Sequence, residues 1–284
     1  MAKPHLPAPW LRRAALGAAA LALAGCYRGP PPTGPVPSAG GVAATGTVLL
    51  PPGYDPGRAY PVVELLPPTG NTAGTMLQIY LSRVGLGRLY RDPPERQLAA
   101  LLPYLVPDSA GGYPTPPPFL VILARGRGSA DDYGSAAAWQ ATIERYEREV
   151  RADLRAVAAQ RRVDASRFVV AGFSLGGDLA WALTLRNPDV LHGAIVMASR
   201  ATYRLAGGEA AVAAALRRAR VYLTMGMADI ATRRQLALAA AAMLDRVGVA
   251  HEFRLIPGVG HEPAPLPTFA EALSFVLRPA SNPD

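Results

Sequence analysis

Short, unbroken apolar runs separated by amphipathic stretches dominate the chain from residue 42 to residue 277. Val62–Leu66, Phe119–Ala124, Phe168–Ala171, Ala194–Ala198 and Val221–Met225 have strand length and are mostly apolar. Continuous apolarity over that length is what strands covered on both faces require. His251–Ile256 instead alternates polar and apolar residues, which places it nearer a sheet edge. An extended segment over Val42–Leu50 and a turn-rich link over Pro51–Gly57 come first. Between the runs the period changes to that of a helix. Ile143, Tyr146, Val150, Leu154 and Val157 fall on one face, while Glu144/Arg148 and Glu147/Arg151 are spaced as i,i+4 pairs on the other. Helices are also predicted over Gly74–Leu86, Pro94–Leu105, Asp178–Leu185, Thr232–Val247 and Pro267–Leu277, the last with proline at its tolerated first position. Alternating strands and helices make this an α/β chain, with a mostly parallel sheet of about seven to eight strands and helices on both faces. Residues 70–118 exceed what one crossover helix needs, and read equally as an elaborated surface connection or as a partial lid.

Composition narrows the classes. With 284 residues, 50% hydrophobic and 18% charged, the chain can bury one ordinary domain, placed here over 42–284. The net charge of +8 comes almost wholly from arginine, since Lys3 is the only lysine. These arginines are scattered and often lie beside acids, with no nucleic-acid-reading motif, so nucleic acid is not an expected partner. Cys26 is the single cysteine, which excludes an internal disulfide, and no Cys/His cluster calls for a metal. Lys3, Arg12 and Arg13 precede an uncharged run over Ala14–Ala24, the pattern of a signal peptide over residues 1–25. Leu23-Ala24-Gly25-Cys26 resembles the bacterial lipobox, which implies cleavage before Cys26, acylation of its sulfur and a membrane-anchored envelope protein facing the periplasm or exterior. A plain signal peptide with an incidental cysteine and an uncleaved anchor are the alternatives. Residues 26–41, rich in Pro and Gly, would then form a tether reaching about 40 Å.

The sharpest chemical feature is Gly172-Phe173-Ser174-Leu175-Gly176, directly after an apolar run and before a helical pattern. Strand, tight turn and helix with serine at the apex is the context of a nucleophile elbow, where flanking glycines admit close approach of the neighbouring backbone. Serine needs a base within reach. His5 leaves with the signal peptide, His192 follows the elbow helix and His251 opens a strand. His261, in the glycine-rich loop Pro257–Pro263 past the last strand, is the best placed base. For the acid, Asp229 lies just beyond the Val221–Met225 strand, whereas Asp178 and Asp245 fall within helices. Capping the following helix is the ordinary alternative role for Asp229.

The order Ser174, Asp229, His261 resembles that of the α/β-hydrolase family. Leu50–Asp55 leading into Tyr60–Val63, then Ala171–Gly177, then Gly258–His261 are similar to the secreted esterases grouped with esterase D-like, feruloyl-esterase-like and polyhydroxyalkanoate-depolymerase-like proteins. The resemblance covers residues 45–278. It implies a carboxylesterase that needs no cofactor and acts on a small-molecule ester through an acyl-enzyme, with Ser174, His261 and Asp229 as triad. The Leu175 N–H would be one oxyanion donor. The family's second donor comes from a His-Gly sequence, but here the place holds Leu66-Pro67-Pro68-Thr69-Gly70. Proline has no N–H, so Thr69 or Gly70 must supply it. Two other readings follow from the same residues: a catalytically silent hydrolase-fold binding protein of the envelope, and an acyltransferase or peptidase using the same triad.

Overall fold

In the computed structural model, residues 28–29, 46–108 and 112–278 are described. The signal segment 1–25, Cys26 and nearly all of the tether lie outside them. The apolar runs become the seven strands of one sheet: β1 Thr47–Leu49, β2 Tyr60–Leu66, β3 Leu120–Leu123, β4 Val163–Phe173, β5 Gly193–Met197, β6 Arg220–Gly226 and β7 His251–Ile256. Their order is β1-β3-β2-β4-β5-β6-β7, parallel throughout except for β1, which runs antiparallel to β3 at one edge. The α/β class and the mostly parallel sheet agree with the pattern of apolar runs. All residues of β2, β3 and β5 are buried, as unbroken apolarity requires. β7 forms the other edge, and five of its six residues are half-buried rather than alternating in and out.

Among the described residues seven α-helices accompany the sheet: α1 Thr75–Arg83, α2 Pro94–Leu101, α3 Ala136–Gln160, α4 Leu175–Arg186, α5 Gly208–Leu216, α6 Ala231–Arg246 and α7 Leu266–Val276. Met76, Leu77 and Tyr80 of α1, Leu98 and Leu101 of α2, and Leu266 and Phe269 of α7 meet Val63, Leu65 and Val121 around one apolar cavity. Both helices of the 70–118 segment therefore belong to the core of that face. Glu64, between Val63 and Leu65, points the other way, toward α3. It is fully buried, and neither carboxylate oxygen has a hydrogen-bond partner. Burial, with the nearby charges of Asp153 and Glu149, pushes its carboxyl well above the usual range against the opposing pull of Arg125.

The expected Glu147/Arg151 pair does not form. Glu147 is buried and accepts from the Arg186 guanidinium of α4 at 2.8 and 3.0 Å, while Arg151 reaches Asp189 and Asn187. A buried arginine on α4 needs a counter-charge, and the buried Glu147 of α3 supplies it. All twelve residues of α4 are buried, which makes the elbow helix the longest wholly buried element described.

Candidate active site

β4 ends at Phe173 and α4 begins at Leu175, so the chain reverses at Ser174 alone. Ser174 has φ 57° and ψ −118°, a conformation unusual for a residue with a side chain. A Cβ on Gly172 would run into the carbonyl of Gly176, and one on Gly176 would meet the Leu66 carbonyl oxygen at 2.6 Å. The Ser174 N–H donates to the Met197 carbonyl at 3.0 Å, and its own carbonyl accepts from the Asp178 N–H at 2.9 Å. The strained residue is thus fixed by a neighbouring strand on one side and by its helix on the other.

Two loops from the sheet edge converge on it. Gly226 ends β6, and a side chain there would strike the carbonyls of Val259 and Gly260, so only glycine lets the loop after β7 cross so closely. The Met227 N–H donates to Ile256 and the Ala228 N–H to Val259, each at 2.9 Å. This pairing brings His261 Nδ1 to 2.8 Å from Asp229 Oδ2, and His261 Nε2 to 3.0 Å from Ser174 Oγ. A carboxylate only accepts, so Nδ1 carries the proton and Nε2 is left to accept from the serine hydroxyl. Burial disfavours the charge on Asp229, but hydrogen bonds from His261 and the Ile230 N–H, with the charges of His261 and Arg233, outweigh it and hold the carboxyl below its usual range. The ring of Phe173 lies 5.0 Å from the His261 ring, tilted by 44° to the imidazole. The geometry supports proton removal from Ser174 as it attacks an electrophile.

The other sequence candidates stand apart. His251 Nδ1 bonds the Val249 carbonyl at 2.9 Å, and the His192 N–H is tied to Phe168. Asp178 faces away from His261. Its carboxylate accepts from Tyr133 Oη and Ser199 Oγ at 2.6 Å, from the Arg200 N–H at 2.9 Å and from the Arg200 guanidinium at 3.0 Å. This carboxylate holds a loop in which Ala198 and Ala201 both have positive φ. Among the described residues no three His, Cys, Asp or Glu side chains gather as a metal site.

At the expected oxyanion loop, one of the two second-donor candidates is excluded. The Gly70 N–H donates to the Gly128 carbonyl at 2.8 Å, because Thr69 and Gly128 form a parallel bridge that ties the loop to the segment after β3. The N–H of Thr69 donates to no acceptor among the described residues. Leu175, first residue of α4, has no intrahelical acceptor for its N–H. Because Gly176 sits against the carbonyls of Leu66 and Pro67, the Pro-Pro loop lies directly on the first turn of α4.

Sequence patterns alone passed over the residues that support this centre from outside it. Arg233 Nη1 stands 3.5 Å from Asp229 Oδ1, and the Arg234 guanidinium bonds the Asp229 carbonyl. Only the i,i+4 spacing of Asp229 and Arg233 could have pointed to the first of these.

A model of the dienelactone hydrolase family matches residues 122–264, which is half of the chain and includes the elbow, Asp229 and His261. The chain belongs to the dienelactone hydrolase family. It is accordingly a carboxylic-ester hydrolase of α/β-hydrolase fold. Among solved structures it is similar to a mutant of the feruloyl esterase module from Clostridium thermocellum complexed with sinapinate, at 16% identity and a TM-score of 0.54 over 81% of this chain and 82% of that one. A ferulic acid esterase from Anaeromyces mucronatus in complex with ferulic acid gives 15% identity and a TM-score of 0.53 over 81% and 84%. Esterase PE8 gives 18% and 0.50 over 81% and 96%. At such identities the likeness is one of fold. A search of curated proteins gives no match.

Proposed function

We propose that this hydrolase is a serine carboxylesterase in which Ser174 is the nucleophile, His261 the general base and acid, and Asp229 the group that orients the imidazole and stabilises the imidazolium. The observation that carries the reading is the continuous chain Asp229 Oδ2, His261 Nδ1, His261 Nε2, Ser174 Oγ, with links of 2.8 and 3.0 Å. As Ser174 Oγ bonds to the ester carbonyl carbon, its proton passes to Nε2, and the carbonyl oxygen becomes an oxyanion facing the N–H groups of Leu175 and Thr69. Collapse breaks the bond to the alcohol oxygen, which leaves with the proton from Nε2. Water then attacks the acyl-enzyme by the same route and releases the acid.

The substrate is an ester with a small or exposed acyl or aryl group. Phe173 beside His261, and Met227 and Ile230 flanking Asp229 with about half or more of their surface exposed, offer apolar contact around the reacting atoms. Two proteins of similar fold were solved with sinapinate and with ferulic acid, which are aryl acids. The protein acts from the cell envelope, anchored through Cys26. A fluorophosphonate probe tests the chemistry: labelling of the wild type and not of Ser174→Ala is expected, and folded wild type that takes no label rejects the enzyme reading. Mass analysis of the mature N-terminus tests the anchor, which is rejected by a chain that starts at Cys26 without a diacylglycerol.

A further inference from the structure

We infer that Arg83 is a positioning residue for His261, and that it joins the 70–118 segment to the reaction. This rests on the reading of Ser174, Asp229 and His261 as the triad. Arg83 is the last residue of α1, 178 positions from the histidine in sequence, and nothing in the apolar pattern distinguishes it from a solvated helix-end cation. Its guanidinium nevertheless makes three hydrogen bonds to the loop that carries His261. Nη1 donates to the carbonyls of Pro263 at 2.9 Å and Ala264 at 3.0 Å, and Nη2 donates to Glu262 Oε2 at 2.7 Å.

The loop needs such a partner. Pro263 and Ala264 are buried, yet Pro263 and Pro265 bring no N–H with which the segment could satisfy its own carbonyls. Packing holds it only in part: Ala264 and Leu266 join the core, while a cleft of about 330 Å³ opens between Arg83, Val259, Glu262 and Leu266. Before His261 the loop is fixed where the carbonyls of Val259 and Gly260 lie on Gly226, although a Cβ at Gly258 or Gly260 would itself touch nothing. Nη1 alone meets both carbonyls while Nη2 meets Glu262, so the planar head fixes the directions of all three contacts at once, which a freely rotating ammonium does not. α1 is itself anchored in the core by Met76, Leu77, Tyr80 and Leu81. The guanidinium therefore ties the histidine loop to the rigid face of the sheet.

The alternative is that Arg83 only satisfies buried carbonyls and contributes to stability. Kinetics on a p-nitrophenyl acetate substrate, thermal melting and the low-field proton resonance of His261 Nδ1–H separate the two. For Arg83→Ala the expected result is a fall in kcat of about 10- to 100-fold with KM within about twofold, since small displacements of a reacting group cost on this order. The Nδ1–H resonance should broaden or vanish while the melting temperature stays close to that of the wild type. Added guanidinium ion should restore part of the rate, and Arg83→Lys should fall between. Glu262→Gln, which leaves both carbonyl contacts intact, should change kcat by less than about threefold because that pair is largely exposed. Wild-type kcat in Arg83→Ala or Arg83→Lys, or a loss that follows melting temperature and is not rescued, overturns the inference. Ser174→Ala and Asp229→Asn serve as controls. If both are inactive while Arg83→Ala is not impaired, the positioning role alone fails; if both stay active, the triad reading fails.

Discussion

Ser174 and His261 meet at 3.0 Å, but the chain holds them by opposite means. The serine sits in an elbow between an eleven-residue strand and a helix whose twelve residues are all buried. Its strained backbone is enclosed by close-packed main chain, so the fold as a whole maintains it. The histidine projects from a loop at the sheet edge, where an exposed imidazole depends on a few directed contacts: Asp229, the ring of Phe173 and the carbonyl bonds from Arg83. Damage on the serine side should therefore appear as lost stability, and damage on the histidine side as lost turnover in a folded protein.

Asp229→Asn tests the histidine side most severely. An amide cannot enforce the tautomer, and a fall in kcat of about 10³- to 10⁴-fold is expected with the melting temperature nearly unchanged. Steady-state kinetics beside a thermal melt would show it, and near-normal turnover would reassign the acid. Gly176→Ala probes the serine side. Alanine favours a helix over glycine by about 1 kcal/mol, but its methyl would press on the Leu66 carbonyl at 2.6 Å, and overpacking against immovable backbone costs about 1–3 kcal/mol or more. The clash wins, and a net loss near 2 kcal/mol, or about 5 °C in melting temperature, is expected by calorimetry. A more stable variant would mean that the elbow is less tightly packed than its contacts indicate.

A further test on the serine side is its pH dependence. Glu64 lies on β2, next to β4, and its folded carboxyl titrates above the unfolded one, so the native state keeps a proton that the unfolded chain releases. Its contribution is complete below the ordinary glutamate range and is lost as pH rises from there through the raised folded value, at about 1.4 kcal/mol per pH unit within that window. Glu64→Gln should flatten this part of the curve, leaving stability close to wild type in acid and above it at higher pH. Denaturant melts from pH 4 to pH 8 would measure the slope, and an unchanged slope would mean that Glu64 does not carry it.

Legibility in the sequence followed the same division. Unbroken apolar runs gave the central strands within one to three residues at most ends, because burial on both faces leaves little choice of residue. The elbow was visible for a related reason: its glycines are demanded by main-chain contacts that no side chain can replace. β4 proved longer than its apolar run, since Val163–Arg167 extends the strand through polar, partly exposed residues. α5 was missed because its alanine-rich sequence buries only Val212 and Leu216 and so carries almost no period. Arg83, Arg200 and Arg233 were illegible in another way. Their roles depend on partners that only the folded chain supplies, and an arginine looks the same in sequence whether it is solvated or holds a loop. At the oxyanion loop, the sequence could eliminate Pro67 and Pro68, but not Gly70, whose N–H is taken by a bridge to a segment 58 residues away.

The two edges of the sheet carry one more consequence. One ends in the short antiparallel strand β1, and the other in β7, which leads straight into the histidine loop. An open edge is a template on which another chain can add a strand. β7 places Glu252 and Arg254 one after the other on the same face, paired at 3.1 Å, with Glu271 also near Arg254 at 3.7 Å. A second strand docking there would have to strip water from these charges, which disfavours self-association at the edge that leads into the histidine loop.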